Sequence, residues 1–156
     1  VLSLVKQLVI SVALKKLIFQ ALAIRLSALA KNSMSKTYKD LIVWQKSMEL
    51  VQEVYKKTSH FPDGEKYGLT SQMRCAAVSI PSNIAEGKLQ GSQKQFKNSL
   101  LIAYGSGGEL ETQVMIAKDL PFGKNIDFSE VDSLLGEVMK MLNSLISKAD
   151  NSETSA

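Results

Sequence analysis

Seven residues, Phe96, Leu100, Ala103, Gly107, Leu110, Val114 and Ala117, follow one another at steps of four and three. That heptad seam commits residues 96–117 to one amphipathic helix whose apolar stripe must be covered by other helices. Ser92-Gln93-Lys94-Gln95 opens it as a capping box, and Pro121 with Gly123 closes it. Gly105, Gly107 and Gly108 lie inside the pattern. Each weakens a helix by about 1 kcal/mol relative to alanine, so a local break at 105–108 competes with a continuous helix. A phosphate loop is not in question, because no strand precedes these glycines and no Gly-Lys-Ser/Thr follows.

Three further segments supply the cover. Residues Thr37 to Ser59 carry Leu41, Trp44, Met48, Val51 and Tyr55 at heptad steps, widened by Val43, Leu50 and Val54. Thr37 with Asp40 is a capping pair, and Trp44 is expected in the core. His60, the single histidine, falls beside the break Phe61-Pro62-Asp63-Gly64 and reads as a loop residue. Asp63 is the candidate N-cap of the next helix, with stripe Leu69, Met73, Ala76, Ala77, Ile80 and Ile84. Pro81 lacks an N–H and should kink that helix, with Ser79 or Ser82 satisfying the freed Ala77 carbonyl. Asn83 is expected to bond across the bundle or a subunit seam, and Glu86-Gly87 to end the helix. Ser79, Pro81, Asn83, Glu86 and Gly87 together read as a structural signature. Asp127-Phe128-Ser129-Glu130 opens a last helix striped by Val131, Leu134, Val138, Met141 and Leu145. Short connections make consecutive helices reverse. The expected fold is all-α: an antiparallel up-down-up-down four-helix bundle over 34–150, with an extra N-terminal amphipathic helix and a disordered tail at 151–156.

Residues 1–33 hold five cations and no acid, with polar residues recurring near every fourth position. Lys15 and Lys16 cut the apolar run too short for a membrane span. The segment fits a basic interfacial or targeting helix, an extra packed helix, or an upstream extension of a chain starting at Met34, the reading preferred here. It also owns the chain's excess charge. The net charge is +4, yet residues 34–156 carry 14 basic and 15 acidic groups. Those divide into 10 against 6 over 34–97 and 4 against 9 over 98–156. A basic half and an acidic half point to self-association or to one basic face; ordinary solvated helices would give the same counts. The single cysteine, Cys75, excludes an internal disulfide, fits a reducing cytoplasmic setting, and reads as a small buried hydrophobe.

The runs Tyr38-Lys39-Asp40-Leu41-Ile42-Val43-Trp44-Gln45, Phe61-Pro62, Tyr67-Gly68-Leu69-Thr70-Ser71-Gln72-Met73-Arg74 and Ser79-Ile80-Pro81-Ser82-Asn83-Ile84-Ala85-Glu86-Gly87 resemble the four-helix bundle proteins encoded in intervening sequences of bacterial 23S ribosomal RNA genes. Ile102-Ala103, Ser106 and Glu109-Leu110-Glu111-Thr112-Gln113 extend the similarity. A related group assists the reverse transcriptase of diversity-generating retroelements. The resemblance implies a ring-shaped homopentamer, association with RNA or DNA, and no catalysis. Residues 1–33 have no counterpart in that family. Lys88-Leu89-Gln90 and Lys97-Asn98-Ser99 stand where the family carries aromatic and arginine residues, and Gly107-Gly108 replaces bulkier ones, which weakens the case for the same basic surface.

An enzyme is not expected. One cysteine and one histidine offer no evident nucleophile–base pair, and no spacing suits a metal, so neither metal nor cofactor is expected. The first functional reading is an oligomeric protein touching nucleic acid through Lys88, Lys94 and Lys97, with Arg74, Lys56 and Lys57 adjacent. The second is a protein-interaction scaffold, for example an accessory subunit of a reverse transcriptase. The third is a membrane-surface role resting entirely on residues 1–33.

Overall fold

The computed structural model describes residues 37–153, with side chains through Ala149. The expectations for residues 1–33 and for 154–156 lie outside the described residues. Among the described residues there are four α-helices, no strand, and three single 3-10 turns. Helix α1 spans Ile42–Thr58, α2 Leu69–Leu89, α3 Gln93–Asp119 and α4 Ser129–Glu153. Each helix packs on its neighbours in sequence, α1 closes against α4, and the diagonal pairs do not meet. That ring order surrounds one core built from Leu50, Val54, Met73, Ile80, Ile84, Leu100, Leu110, Val114, Val131, Val138 and Leu142 among others.

The heptad of α3 is the core face as expected: from Leu100 to Ala117 every seam residue is buried, and Phe96 is half-buried. No break occurs at 105–108. Gly107 lies on the packed seam, where an added Cβ would displace the flexible Met139 side chain of α4. Gly105 and Gly108 face open space, so the helix tolerates their intrinsic cost because the buried seam residues hold it in place.

In α1 the expected seam is displaced. The buried face is Val43, Ser47, Leu50, Val54 and Thr58. Leu41, Trp44, Met48 and Val51 are half-buried on its flank, and Tyr55 is exposed. Sequence periodicity weights large apolar side chains, whereas this core takes two small hydroxyls. It can do so because both donate to their own helix: Ser47 Oγ to the Trp44 carbonyl at 2.7 Å, and Thr58 Oγ1 to that of Val54 at 2.8 Å.

The helix ends also differ from expectation in detail. The Thr37 amide does donate to Asp40 Oδ2 at 2.9 Å, but the pair closes a 3-10 turn at Tyr38–Asp40, and α1 begins after Leu41. Asp63 does not cap α2. It lies in a 3-10 turn, Asp63–Glu65, and the Glu65 carboxylate accepts the Leu69 amide at 2.9 Å instead. Ser92 is the N-cap of α3 by position, without a side-chain cap bond. Asp127 Oδ1 accepts the Ser129 amide at 2.9 Å, as its place before α4 requires.

Helix α2 runs uninterrupted through Pro81 and past Gly87. Gly87 is therefore not the stop. It is buried where α2 meets α3, and a Cβ there would sit 3.2 Å from the Phe96 Cα and overlap Ser99. The stop comes four residues later, at Gly91, whose φ of +73° supplies the left-handed turn that ends α-helices. Phe61, after α1, packs on Phe122 and Phe128, between α3 and α4, with ring centroids 4.9 and 6.4 Å away.

Two stability outcomes follow. Gly87→Ala should lose about 1–3 kcal/mol in urea unfolding, because backbone and Ser99 must give way; Gly105→Ala should gain about 0.5–1 kcal/mol, because its Cβ meets nothing. Asp127 has its pKa lowered from 3.8, first by the Ser129 backbone hydrogen bond. A depressed carboxylate contributes stability that is present above its unfolded pKa and lost as pH falls through the folded value. The stability difference between wild type and Asp127→Ala should hold at neutral pH and shrink below about pH 4.

Candidate functional site

Displacing the α1 seam leaves apolar surface beside α2. Trp44, Met48 and Val51 from α1, with Tyr38, Val78, Pro81 and Ala85, line a groove of about 270 Å³. Trp44 stands edge-on to Tyr38, centroids 5.3 Å apart. Past Val78 lies a cleft of about 580 Å³ walled by Tyr55, Lys66, Tyr67, Arg74, Cys75 and Ser79.

Arg74 is the most constrained side chain of that cleft. Its Nε donates to Thr58 Oγ1 at 2.9 Å, and its guanidinium lies 4.6 Å from the Tyr55 ring centroid. Thr58 can accept because its own proton goes to the Val54 carbonyl. The cation is thus held by a backbone-anchored hydroxyl and an aromatic face, which leaves the Nη donors directed elsewhere. Lys66 lies 5.6 Å from the Tyr67 ring, and Tyr67 is 87% exposed.

At its inner wall the cleft meets a hydrogen-bond chain with a definite direction. Asn83 Nδ2 donates to the Ser79 carbonyl (2.8 Å) and to Ser79 Oγ (3.0 Å). Ser79 Oγ and Ser106 Oγ are 2.8 Å apart, and Ser106 Oγ donates to the Ile102 carbonyl at 3.0 Å. With the Ser106 proton so placed, Ser79 is the donor between the hydroxyls. Asn83 therefore does not cross the bundle as expected; Ser79 does, and Asn83 holds Ser79. Nor do Ser79 and Ser82 cap the Ala77 carbonyl, because Ser82 Oγ donates to that of Val78 at 2.8 Å. Glu86 is exposed and accepts from Gln90 at 3.0 Å, within the last turn of α2.

The six cations expected to form one patch fall into separate places. Arg74 and Lys88 are fourteen residues apart on one helix, about 21 Å along its axis. Lys88 lies 5.5 Å from the Phe96 ring, beside Lys94 and Lys97 in the first turns of α3. Lys56 pairs with Glu53 at 3.1 Å, and Lys57 acts on Asp127. Cys75 is exposed in the cleft rather than buried: its neighbours Met73, Ala76 and Ala77 take the core face of α2. His60 Nδ1 is 2.9 Å from the Lys56 carbonyl. Among the described residues no group of three or more His, Cys, Asp or Glu could hold a metal ion, and no helix is long and apolar enough to cross a membrane. Lys66, Tyr55 and Tyr67, which also line the cleft, are not among the site residues expected from sequence. Tyr55 was absorbed into the apolar seam, and Lys66 and Tyr67 belong to a turn with no periodicity to read.

The family model for 23S rRNA-intervening sequence proteins matches residues 39–144. A crystal structure from Bacteroides thetaiotaomicron, described as a protein of unknown function from the S23 ribosomal protein family, is 24% identical in sequence. It superposes with a TM-score of 0.57 over 67% of this chain and 98% of its own. At that identity it speaks for the fold alone. No curated protein matches the chain.

The Ser79–Ser106 bond should appear in a double-mutant cycle. Ser79→Ala and Ser106→Ala should each cost about 1 kcal/mol in chemical denaturation, and the double variant should cost less than their sum.

Proposed function

The chain belongs to the family of 23S rRNA-intervening sequence proteins, and on that premise we propose that it is a non-catalytic, self-associating helix bundle that also contacts RNA or DNA. One observation carries the self-association: the seam residues Trp44, Met48 and Val51 are only half-buried at the edge of the core and line a groove with Val78 and Pro81. An apolar seam of this kind is the surface by which helices recruit further helices. A second apolar face lies on α3, where Leu101, Ile102, Tyr104, Met115 and Ile116 are exposed. Two unlike apolar faces on one chain favour a head-to-tail contact between copies, which closes into a ring when the rotation permits. The family resemblance sets the expected number at five. Within each copy the helices alternate up and down. This reading is supported by the Lys118–Asp132 ion pair at 2.6 Å, which joins the end of α3 to the start of α4. It is also supported by the Ser79–Ser106 and Gly87–Ser99 contacts, which run in opposite order along α2 and α3.

Nucleic-acid contact is assigned to Arg74 with Lys66 at one end of α2, and to Lys88, Lys94 and Lys97 at the other. Residues 37–153 carry 13 basic and 15 acidic groups, so the attraction must be local; a ring multiplies such local contacts into avidity. The same charge balance favours a second reading, a scaffold or accessory subunit for another protein, for example a reverse transcriptase. A reducing cytoplasmic setting suits either, given one exposed thiol.

Light scattering on the full chain should give about five times the 17.1 kDa chain mass. Val78→Lys should reduce it to the mass of one chain with unchanged helical circular dichroism. A monomeric wild type would end the self-association reading. Nucleic-acid affinity unchanged by both Arg74→Glu and the pair Lys94→Glu with Lys97→Glu would leave the scaffold reading.

A further inference from the structure

We propose that the cleft between Tyr55, Tyr67 and Arg74 is a seat for an unpaired nucleobase and its adjoining phosphate, so that the nucleic acid this chain takes is single-stranded. The inference rests on the nucleic-acid part of the proposed function and specifies its ligand.

A folded region with 13 basic and 15 acidic groups has no broad positive field with which to grip a duplex backbone. Affinity must then come from a site where few phosphate contacts are joined by something else. The cleft supplies that combination. No carboxylate among the described residues pairs with Arg74 or Lys66. The nearest acid in the preceding turn, Glu65, is committed to the Leu69 amide. Arg74 is already oriented by Thr58 and backed by Tyr55, so binding a phosphate through its Nη donors costs little side-chain ordering. Tyr67 holds its ring in water at 87% exposure beside Lys66, which leaves an aromatic face open for stacking. The volume, about 580 Å³, falls within the range of about 300–1,000 Å³ common for small-molecule clefts.

Geometry decides between single strand and duplex. Bases in a duplex have both faces covered by their neighbours, so a concave site lined by tyrosine and guanidinium can engage only a base that has left the stack. Stacking on aromatic rings tolerates any base, so base preference would fall to the hydroxyls of Thr70, Ser71 and Ser79 that also line the cleft. Cys75, the chain's single thiol, lies on the cleft wall and reports occupancy without any substitution.

The full-length chain is titrated with a ten-residue oligouridylate, with the same strand made abasic, and with an RNA duplex of equal length. Oligouridylate should bind about tenfold more tightly than either of the others, and Tyr67→Ala should abolish that difference. Replacing Lys66 and Arg74 together by glutamine should flatten the salt dependence by about 0.7 in log K against log salt, the value for one phosphate on a single strand. Oligouridylate should also slow alkylation of Cys75 several-fold. Equal binding of the abasic strand or duplex, or a base preference that survives Tyr67→Ala, or Cys75 alkylation indifferent to the oligonucleotide would overturn the seat while leaving nucleic-acid contact standing. Absence of binding to all three probes would remove both.

Discussion

The packing of α2 on α3 is the constraint on which the rest of this bundle depends. Two points pin it. At Gly87 the helices approach so closely that a single added carbon would strike Ser99 and the backbone at Phe96. At Ser79 a hydroxyl donates across to Ser106, and Asn83 locks that hydroxyl from behind. A close approach fixes distance, and a directed hydrogen bond fixes register. Neither works without the other, because apolar seams alone permit sliding. The polar run in the middle of α2 is therefore a packing device, and Pro81 is buried within it without interrupting the helix.

What α2 gives to α3 it cannot give to α1. Helix α1 covers the remaining core with a face of modest size, in which Ser47 and Thr58 replace larger side chains. Its bulkier residues are pushed to the flank, where Trp44, Met48 and Val51 meet Val78 and Pro81 in a groove that the described residues leave open. Thr58 links this arrangement to the cleft: one oxygen closes the end of α1, receives Arg74, and so sets the guanidinium on Tyr55. The surface proposed for assembly and the cleft proposed for nucleic acid thus lie side by side on the α1–α2 face and share Val78.

Much of this was legible from residues. The α3 heptad, the α4 stripe and the break at Phe61–Gly64 located the helices correctly, because a buried seam repeats and a turn needs Pro, Gly or Asp. Three things were not legible. The face of α1 was misjudged because a hydroxyl that bonds its own helix carries no apolar signal. Gly87 reads as a stop because a glycine needed for close approach looks the same in sequence as one needed for a left-handed turn; among the described glycines the positive φ belongs to Gly91. The six cations are expected near one bundle end, whereas one continuous helix carries Arg74 and Lys88 to separate ends.

The central claim is that the α1–α2 groove is covered by another copy of the chain in solution. Trp44, the only tryptophan, lines that groove and reports on it directly. Acrylamide quenching of its fluorescence, compared between wild type and Val78→Lys at equal concentration, is the most direct measurement. The account predicts a shielded tryptophan in wild type and a more readily quenched one in the variant, with helical content unchanged. Equal quenching in the two would contradict it.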